Sequence, residues 1–432
     1  MKHNMLRVVV GCFAVLAGLC SGPANAQRRE EVRVVDDEAC GCELFYVDGI
    51  QTTQQDGKFG FKLADGTVLV PNKYMFVDRF NGNYCIVMAD YGRSGLIDRT
   101  GREVVPCEYE EVVYPSEGLI RVKQNGLYGY LDTGGRVVIE PRYYSASGFF
   151  EGLAVAAVSD GNDEALLFGF IDTAGSWVIA PRYQYAQPFT EGWAVVRQYD
   201  RYGMIDRSGR EVVTIKYAEV SMLHNGRFFA EDAATGLLAM FGKRKQLTGF
   251  VYDGVLACSE GLYLVVRNGR YGYLDARGKE VIPCQYRLAN PMKDGFAMVC
   301  DSTRYGMIDR RGKVFLPLEY DNSGYRSEIY TFYEGLALVE KDGKYGYINT
   351  NGEIAVPLRY ASGYKFTEGL APVCDKGSWG YIDHQGNVVI PFVFQAASPY
   401  EYGRAEVVFH GEVYKIDTKG RCVKNCHGVK FF

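Results

Sequence analysis

Residues Lys341 to Tyr360 read KDGKYGYINTNGEIAVPLRY, and near-copies of this stretch recur along the whole chain. Asp342-Gly343 is a dipeptide suited to the two positive φ angles of a tight hairpin turn. KYGYIN alternates with period two, as a strand does. Asn349 to Gly352 form a second turn, where a polar side chain caps backbone amides and glycine takes the left-handed position. IAVPLRY is then another strand, and EGLALVE, Glu334 to Glu340, supplies one before the hairpin. One unit therefore reads as a three-stranded antiparallel meander. No helical period is sustained beyond the N-terminal segment, so the fold class is all-β.

The glycine of Tyr345-Gly346 has counterparts at Gly60, Gly95, Gly129, Gly169, Gly203, Gly236, Gly272, Gly306 and Gly380, with a glycine-less copy at Val413-Tyr414. An interval of about 34 residues signals a propeller, an array or a solenoid. A shift of 177 positions places Gly95 on Gly272 and Gly203 on Gly380. It also sets IDRTGREVVPCEY, Ile97 to Tyr109, against LDARGKEVIPCQY, Leu274 to Tyr286. The chain thus reads as a block of repeats duplicated whole. A lone meander buries too little apolar surface to stand, so units must pack as blades of one or two propeller-like rings, or in a row as an open β-solenoid. The expected division is a signal peptide over 1–26 and a cysteine-containing segment over 27–58. A first block of repeats covers 59–236, then a degenerate repeat or junction 237–271. The second block covers 272–417 and a terminal segment 418–432.

At KYGYIN and the recurrent GYID the chain resembles the bacterial WG-repeat family, also called KWG repeats, over about Phe59 to Asp417. The Trp-Gly pair itself survives as Trp379-Gly380. Tyrosine precedes the glycine at Tyr128, Tyr202, Tyr271, Tyr305 and Tyr345, and phenylalanine at Phe59 and Phe168. The resemblance implies the repeat architecture and brings no catalytic residues with it.

The N-terminus has the three-part layout of a secretory signal: Lys2 and Arg7, the apolar run VVVGCFAVLAGL, and the small-x-small triplet Ala24-Asn25-Ala26. Cleavage is expected before Gln27, and the mature chain is expected to be exported to the periplasm, the outer surface or the medium. A lipid anchor on Cys20 is the rival reading, disfavoured by Leu19 before it. No later run is long and apolar enough for a transmembrane helix. Losing Lys2 and Arg7 takes the formal charge from −4 to −6, against a nucleic-acid partner, whose footprint would be basic. In an oxidising compartment some of the cysteines should pair, and sequence leaves their connectivity open. The close pairs Cys40/Cys42 and Cys422/Cys426 lack the matched spacing of a zinc site, so neither metal nor other cofactor is expected.

Acids recur at Asp98, Asp132, Asp172, Asp206, Asp275, Asp309, Asp383 and Asp417. One acid per repeat does not give calcium its six or more converging oxygens, so these read as structural turn caps. The acids of the Glu-Gly steps, Glu117, Glu151, Glu191, Glu260, Glu334 and Glu368, are glycosidase carboxylates in principle, but their regular recurrence favours a turn role. His224, His384, His410 and His427 sit in no metalloprotease frame. Tyrosines number 33. Tyr130, Tyr273, Tyr347 and Tyr381 alternate with Ile or Leu and so face away from them. Exposed along a rim, they would offer stacking platforms for a sugar or a protein, and they are the candidate binding surface. The expected function is that of an exported, non-catalytic scaffold or binding protein for a protein or glycan of the cell envelope. The alternative is a propeller-type glycan-processing enzyme.

Overall fold

The computed structural model describes residues 32–37, 42–90, 92–161, 165–221, 224–243, 245–322, 329–424, 426 and 429–432. The signal peptide with its cleavage point, Cys20, Cys40 and His427 lie outside the described residues. Among those described, every regular element is a β-strand, and the strands form eleven antiparallel sheets that succeed one another along the chain. Two compact units divide them: six sheets lie in the described residues up to Phe250, and five in Val251–Phe432.

The first sheet has five strands and each of the others four, the strand number of a propeller blade. One sheet comprises Ser145–Ala146, Ala154–Ser159, Leu166–Ile171 and Trp177–Tyr183, hydrogen-bonded in that order. The extra strand relative to a three-stranded meander is the two-residue piece, whose Ser145 and Ala146 pair with Ala157 and Ala156. Two residues are too few to show an alternation. The Glu-Gly step is the turn between this piece and the next strand. Glu151 and Gly152 have φ of 54° and 78°, and Phe150 and Leu153 exchange both backbone hydrogen bonds across them. Positive φ at both central residues is the two-residue turn that matches strand twist.

The recurrent aromatic-glycine step has its cause in the fourth strand. In the third sheet Tyr128 pairs with Tyr143 but Tyr130 pairs with Ile139, so Gly129 alone faces three residues. This bulge drives the Ile139 carbonyl onto Gly129, where a Cβ would lie 2.5 Å from the oxygen. Equivalent carbonyls press on Gly60, Gly95, Gly169, Gly203, Gly272, Gly306, Gly346 and Gly380 within 2.4–2.7 Å of where a Cβ would be. Only glycine tolerates such an approach.

Two sheets lack the glycine and also the bulge opposite it, although the eleventh keeps the smaller shift between Lys415 and Ile416. In the sixth, Ala239 takes the slot, paired with Ala230, and the fourth strand is only Lys245–Gln246. Gly236, placed in the slot by spacing, lies instead in the preceding turn at φ 70°. In the eleventh, Tyr414 takes the slot, and the fourth strand is Cys422–Lys424. After each of these sheets an aromatic folds back onto it. Phe250 packs on Tyr217 and Phe241, and Phe431 on Phe394, Phe409 and Tyr414, beyond a Cys422–Cys426 disulfide.

The core lies between successive sheets. One cluster joins Leu119, Tyr130, Ile139 and Tyr143 of the third sheet to Ala146, Phe149, Ala154, Ala156 and Ile171 of the fourth. Burial of this kind, at about 25 cal/mol per Å² of apolar surface, makes each sheet dependent on its neighbours. Replacing Gly129 by Ala should lower stability by about 1–3 kcal/mol through overpacking. Ala239→Gly, where no carbonyl intrudes, should cost less than about 1 kcal/mol. Urea unfolding of both variants checks the pair, and equal losses would contradict the close-contact explanation.

Candidate binding surface

In a four-stranded antiparallel sheet the turn between strands one and two and the turn between strands three and four fall at the same end. Each sheet that keeps both motifs therefore shows its Glu-Gly turn and its Asp-x-x-Gly turn together. The acids at this end are committed to backbone groups. The Asp132 Oδ1 accepts the N–H of Gly134 at 2.9 Å and of Arg136 at 2.9 Å. Asp98, Asp172, Asp206, Asp275, Asp309, Asp383 and Asp417 each accept the same two N–H groups, two and four residues on. Asn349 does so too.

The glutamates reach further. Glu117 accepts the N–H of Gly152, the glycine of the next sheet's turn, at 2.8 Å. Glu151 does the same for Gly192, and Glu191 for Gly226, each at 2.8 Å. In the second unit Glu260 binds Gly295, Glu334 binds Gly369 at 3.0 Å, and Glu368 binds Gly403. The result within each unit is a row of carboxylates, each in a left-handed conformation and each stapling its turn to a later one. A charge-assisted bond of this kind offsets the cost of positive φ at a residue with a side chain. Basic side chains lean on two of them: Lys243 Nζ lies 3.6 Å from Glu191, and the imidazole Nε2 of His384 lies 3.0 Å from Glu334, with the His384 ring 4.7 Å from that of Phe366. The six carboxylates serve six separate turns rather than one pair. Among the described residues no group of three or more His, Cys, Asp or Glu is placed to hold a metal ion.

The four tyrosines expected along a rim are in the core. Tyr130, Tyr273 and Tyr381 are 0% exposed and Tyr347 is 1%. Their hydroxyls donate across to the next sheet, to the carbonyls of Ser147, Asn290, Ser398 and Tyr364 at 2.6–2.9 Å. Burial pushes the hydroxyls of Tyr130, Tyr273 and Tyr381 well above the usual phenol range. Because a sheet inside a stack is covered on both faces, the side opposite Ile and Leu is interior as well.

Pairs of consecutive exposed apolar residues lie on the last strand, an edge of the sheet. Val137 and Val138 of the third sheet and Trp177 and Val178 of the fourth are open to solvent, Val137 at 48% and Val178 at 47%. Trp177 meets the Tyr143 ring edge-on at 5.6 Å, which joins the two edges into one surface. Arg142 and Arg182 flank it, each stacked on the adjacent tyrosine at 5.1 and 5.0 Å and donating to its hydroxyl. Among the described residues neither pairs with a carboxylate. Sequence reading missed this edge. Its signal is the pair of consecutive apolar residues after the Asp-x-x-Gly turn, which breaks alternation.

Two measurements test the committed acids. Glu151→Ala should cost about 1–2 kcal/mol by leaving the Gly192 N–H without its carboxylate, and Glu151→Gln, which keeps an acceptor, should cost less. Asp206 is pulled down to about 2 by the Ser208 hydroxyl first, then, against the cost of burial, by N–H groups of Arg210 and Ser208 and the Arg210 side chain. Its folded value lies below that of an unfolded aspartate, about 3.9. Its stabilisation is therefore complete above about pH 4 and lost as pH falls through about 2. Ser208→Ala should move acid unfolding to higher pH, as read by circular dichroism.

Among the described residues no helix is long and apolar enough to cross a membrane. No curated protein sequence matches the chain significantly. Solved structures that resemble it include a eukaryotic initiation factor, 10% identical, over 68% of this chain and 92% of that one, with a TM-score of 0.34. BamB from Moraxella catarrhalis is 13% identical over 62% of this chain and 87% of its own, TM-score 0.29. The WD40 β-propeller domain of Doa1 is 12% identical over 52% and 88%, TM-score 0.24. The profile described as WG containing repeat matches at 95–128, 128–162, 168–202, 202–232, 271–301, 305–345, 345–378 and 379–412. With eight matched copies over most of its length, the chain belongs to the WG-repeat family.

Proposed function

We propose that the chain is an exported, non-catalytic scaffold that binds a protein or glycan of the cell envelope through the outer edges of its sheets. One observation supports this reading above others: the recurrent carboxylates and the tyrosines of the third strands are tied up in caps, staples and core, as with Glu151 on Gly192 and Tyr130 on Ser147. A catalytic site needs a local, asymmetric group of uncommitted titrating side chains. A binding surface needs exposed apolar anchors with arginines beside them, the composition of Val137, Val138, Trp177, Val178, Arg142 and Arg182.

The experiment pairs binding with turnover. Purified mature chain is incubated with insoluble peptidoglycan and with outer-membrane vesicles, and bound protein and released reducing sugar are both measured. Binding without sugar release is expected, weakened several-fold by Trp177→Ala. Sugar release that disappears on changing Glu334 or His384 would replace this reading with the glycan-processing enzyme.

A further inference from the structure

The exposed edge of the third and fourth sheets has a counterpart in the second unit, where the next sheet adds the exposed Val388 and Val389. Shifted by 177 positions, Val137 and Val138 become Val314 and Phe315, and Trp177 and Val178 become Ile354 and Ala355. Val314 is 49% exposed and Ile354 57%, while Phe315 and Ala355 are half-buried. The two edges meet here as well: Gly352, in the turn leading to Ile354, comes up against the Phe315 ring, whose tip would lie 3.3 Å from a Cβ at that glycine.

Charge is shared along with apolarity. Arg136 corresponds to Lys313, and Arg182 to Arg359, which stacks on Tyr360 at 4.9 Å and donates to its hydroxyl as Arg182 does to Tyr183. Arg136 leans on Asp132, whereas Arg182 and Arg359 pair with no carboxylate among the described residues. Intervening exposed positions of the same strands have not stayed alike. Glu140 stands against Pro317, Arg142 against Glu319, Ser176 against Glu353 and Ala180 against Pro357. Four apolar residues and two cations are thus common to both copies, and the acid they share, Asp132 and its counterpart Asp309, is committed to the amides of its own turn.

The same strands reject one mode of binding. A partner strand cannot extend along them, because a bulge and Pro141, Pro181, Pro317 or Pro357 interrupt the edge after its first few residues. Contact must come through side chains across two neighbouring edges.

Resting on the binding reading above, we infer that each unit carries one docking site for the same partner, a protein segment bearing apolar side chains beside carboxylates. The shared cations select the acidic partner, on a chain whose own net charge is negative and would otherwise repel it. Two such sites on one chain make it bivalent, so a partner held in an array or on a surface is retained by avidity.

The test uses the whole mature chain and a fluorescein-labelled peptide alternating Leu and Glu, with a Leu-Lys peptide and polygalacturonate as comparisons. Titration should give two Leu-Glu peptides per chain, with affinity falling as salt rises. Val137→Asp with Val178→Asp should leave one site, as should Val314→Asp with Ile354→Asp, and all four together none. These side chains are already exposed, and circular dichroism verifies that the variants fold. Arg182→Gln and Arg359→Gln should each weaken one site about tenfold. One site in the unaltered chain, unchanged stoichiometry in the variants, equal binding of Leu-Lys peptide, or binding of polygalacturonate in place of the peptide would each overturn the inference. Envelope binding that survives such a result would leave the scaffold reading standing, whereas sugar release would remove that reading first.

Discussion

The governing contact is a carbonyl oxygen pressed against a glycine Cα. In nine sheets the last strand carries extra residues opposite the glycine of the strand before it, and the resulting bulge sends a backbone oxygen into the space where any side chain would begin. The bulge bends the edge and brings the closing aromatic, such as Tyr143 or Tyr183, over toward the succeeding sheet. There its hydroxyl comes within hydrogen-bonding reach of the next Asp-x-x-Gly turn, as Tyr143 does at the Gly175 carbonyl, 3.0 Å away. Where the glycine is replaced, by Ala239 or Tyr414, the long fourth strand is gone as well. Residue and bulge are two faces of one steric requirement.

Once sheets stack, polar groups become connectors. A buried tyrosine hydroxyl must find an acceptor, and the carbonyls of the next sheet provide it. A glutamate in a positive-φ turn needs compensation, and the neighbouring glycine N–H supplies it. Both solutions bridge from one sheet to its successor, so satisfying local hydrogen-bonding demands also fixes the spacing of the repeat. This explains why acids and tyrosines recur with the period.

The period, the hairpin dipeptides and the turn acids were legible because each rests on local backbone geometry: Asn268-Gly269 can hardly be anything but a tight turn, and Asp275 caps the turn that it opens. The two-residue first strand was not legible, having no pattern to show. Nor was the direction of Tyr347, since alternation separates two faces without saying that both are covered. Gly236 misled because glycine serves two purposes in this chain, left-handed turns and close approach, and spacing alone does not distinguish them. The exposed edge at Val137 and Trp177 could have been suspected from its paired apolar residues, but only the register places the two edges side by side.

Phe250 and Phe431 bear on how such a chain grows. Each packs on the last sheet of its unit, where the glycine and the bulge opposite it are missing, and so helps to cover apolar side chains there. Copying a single repeat would have to insert a new sheet between two that already fit. Copying a closed block brings its own stopper, and the offspring inherits no raw face to aggregate by. Lengthening by whole blocks rather than by single units is the route such stoppered ends leave open in the history of the gene.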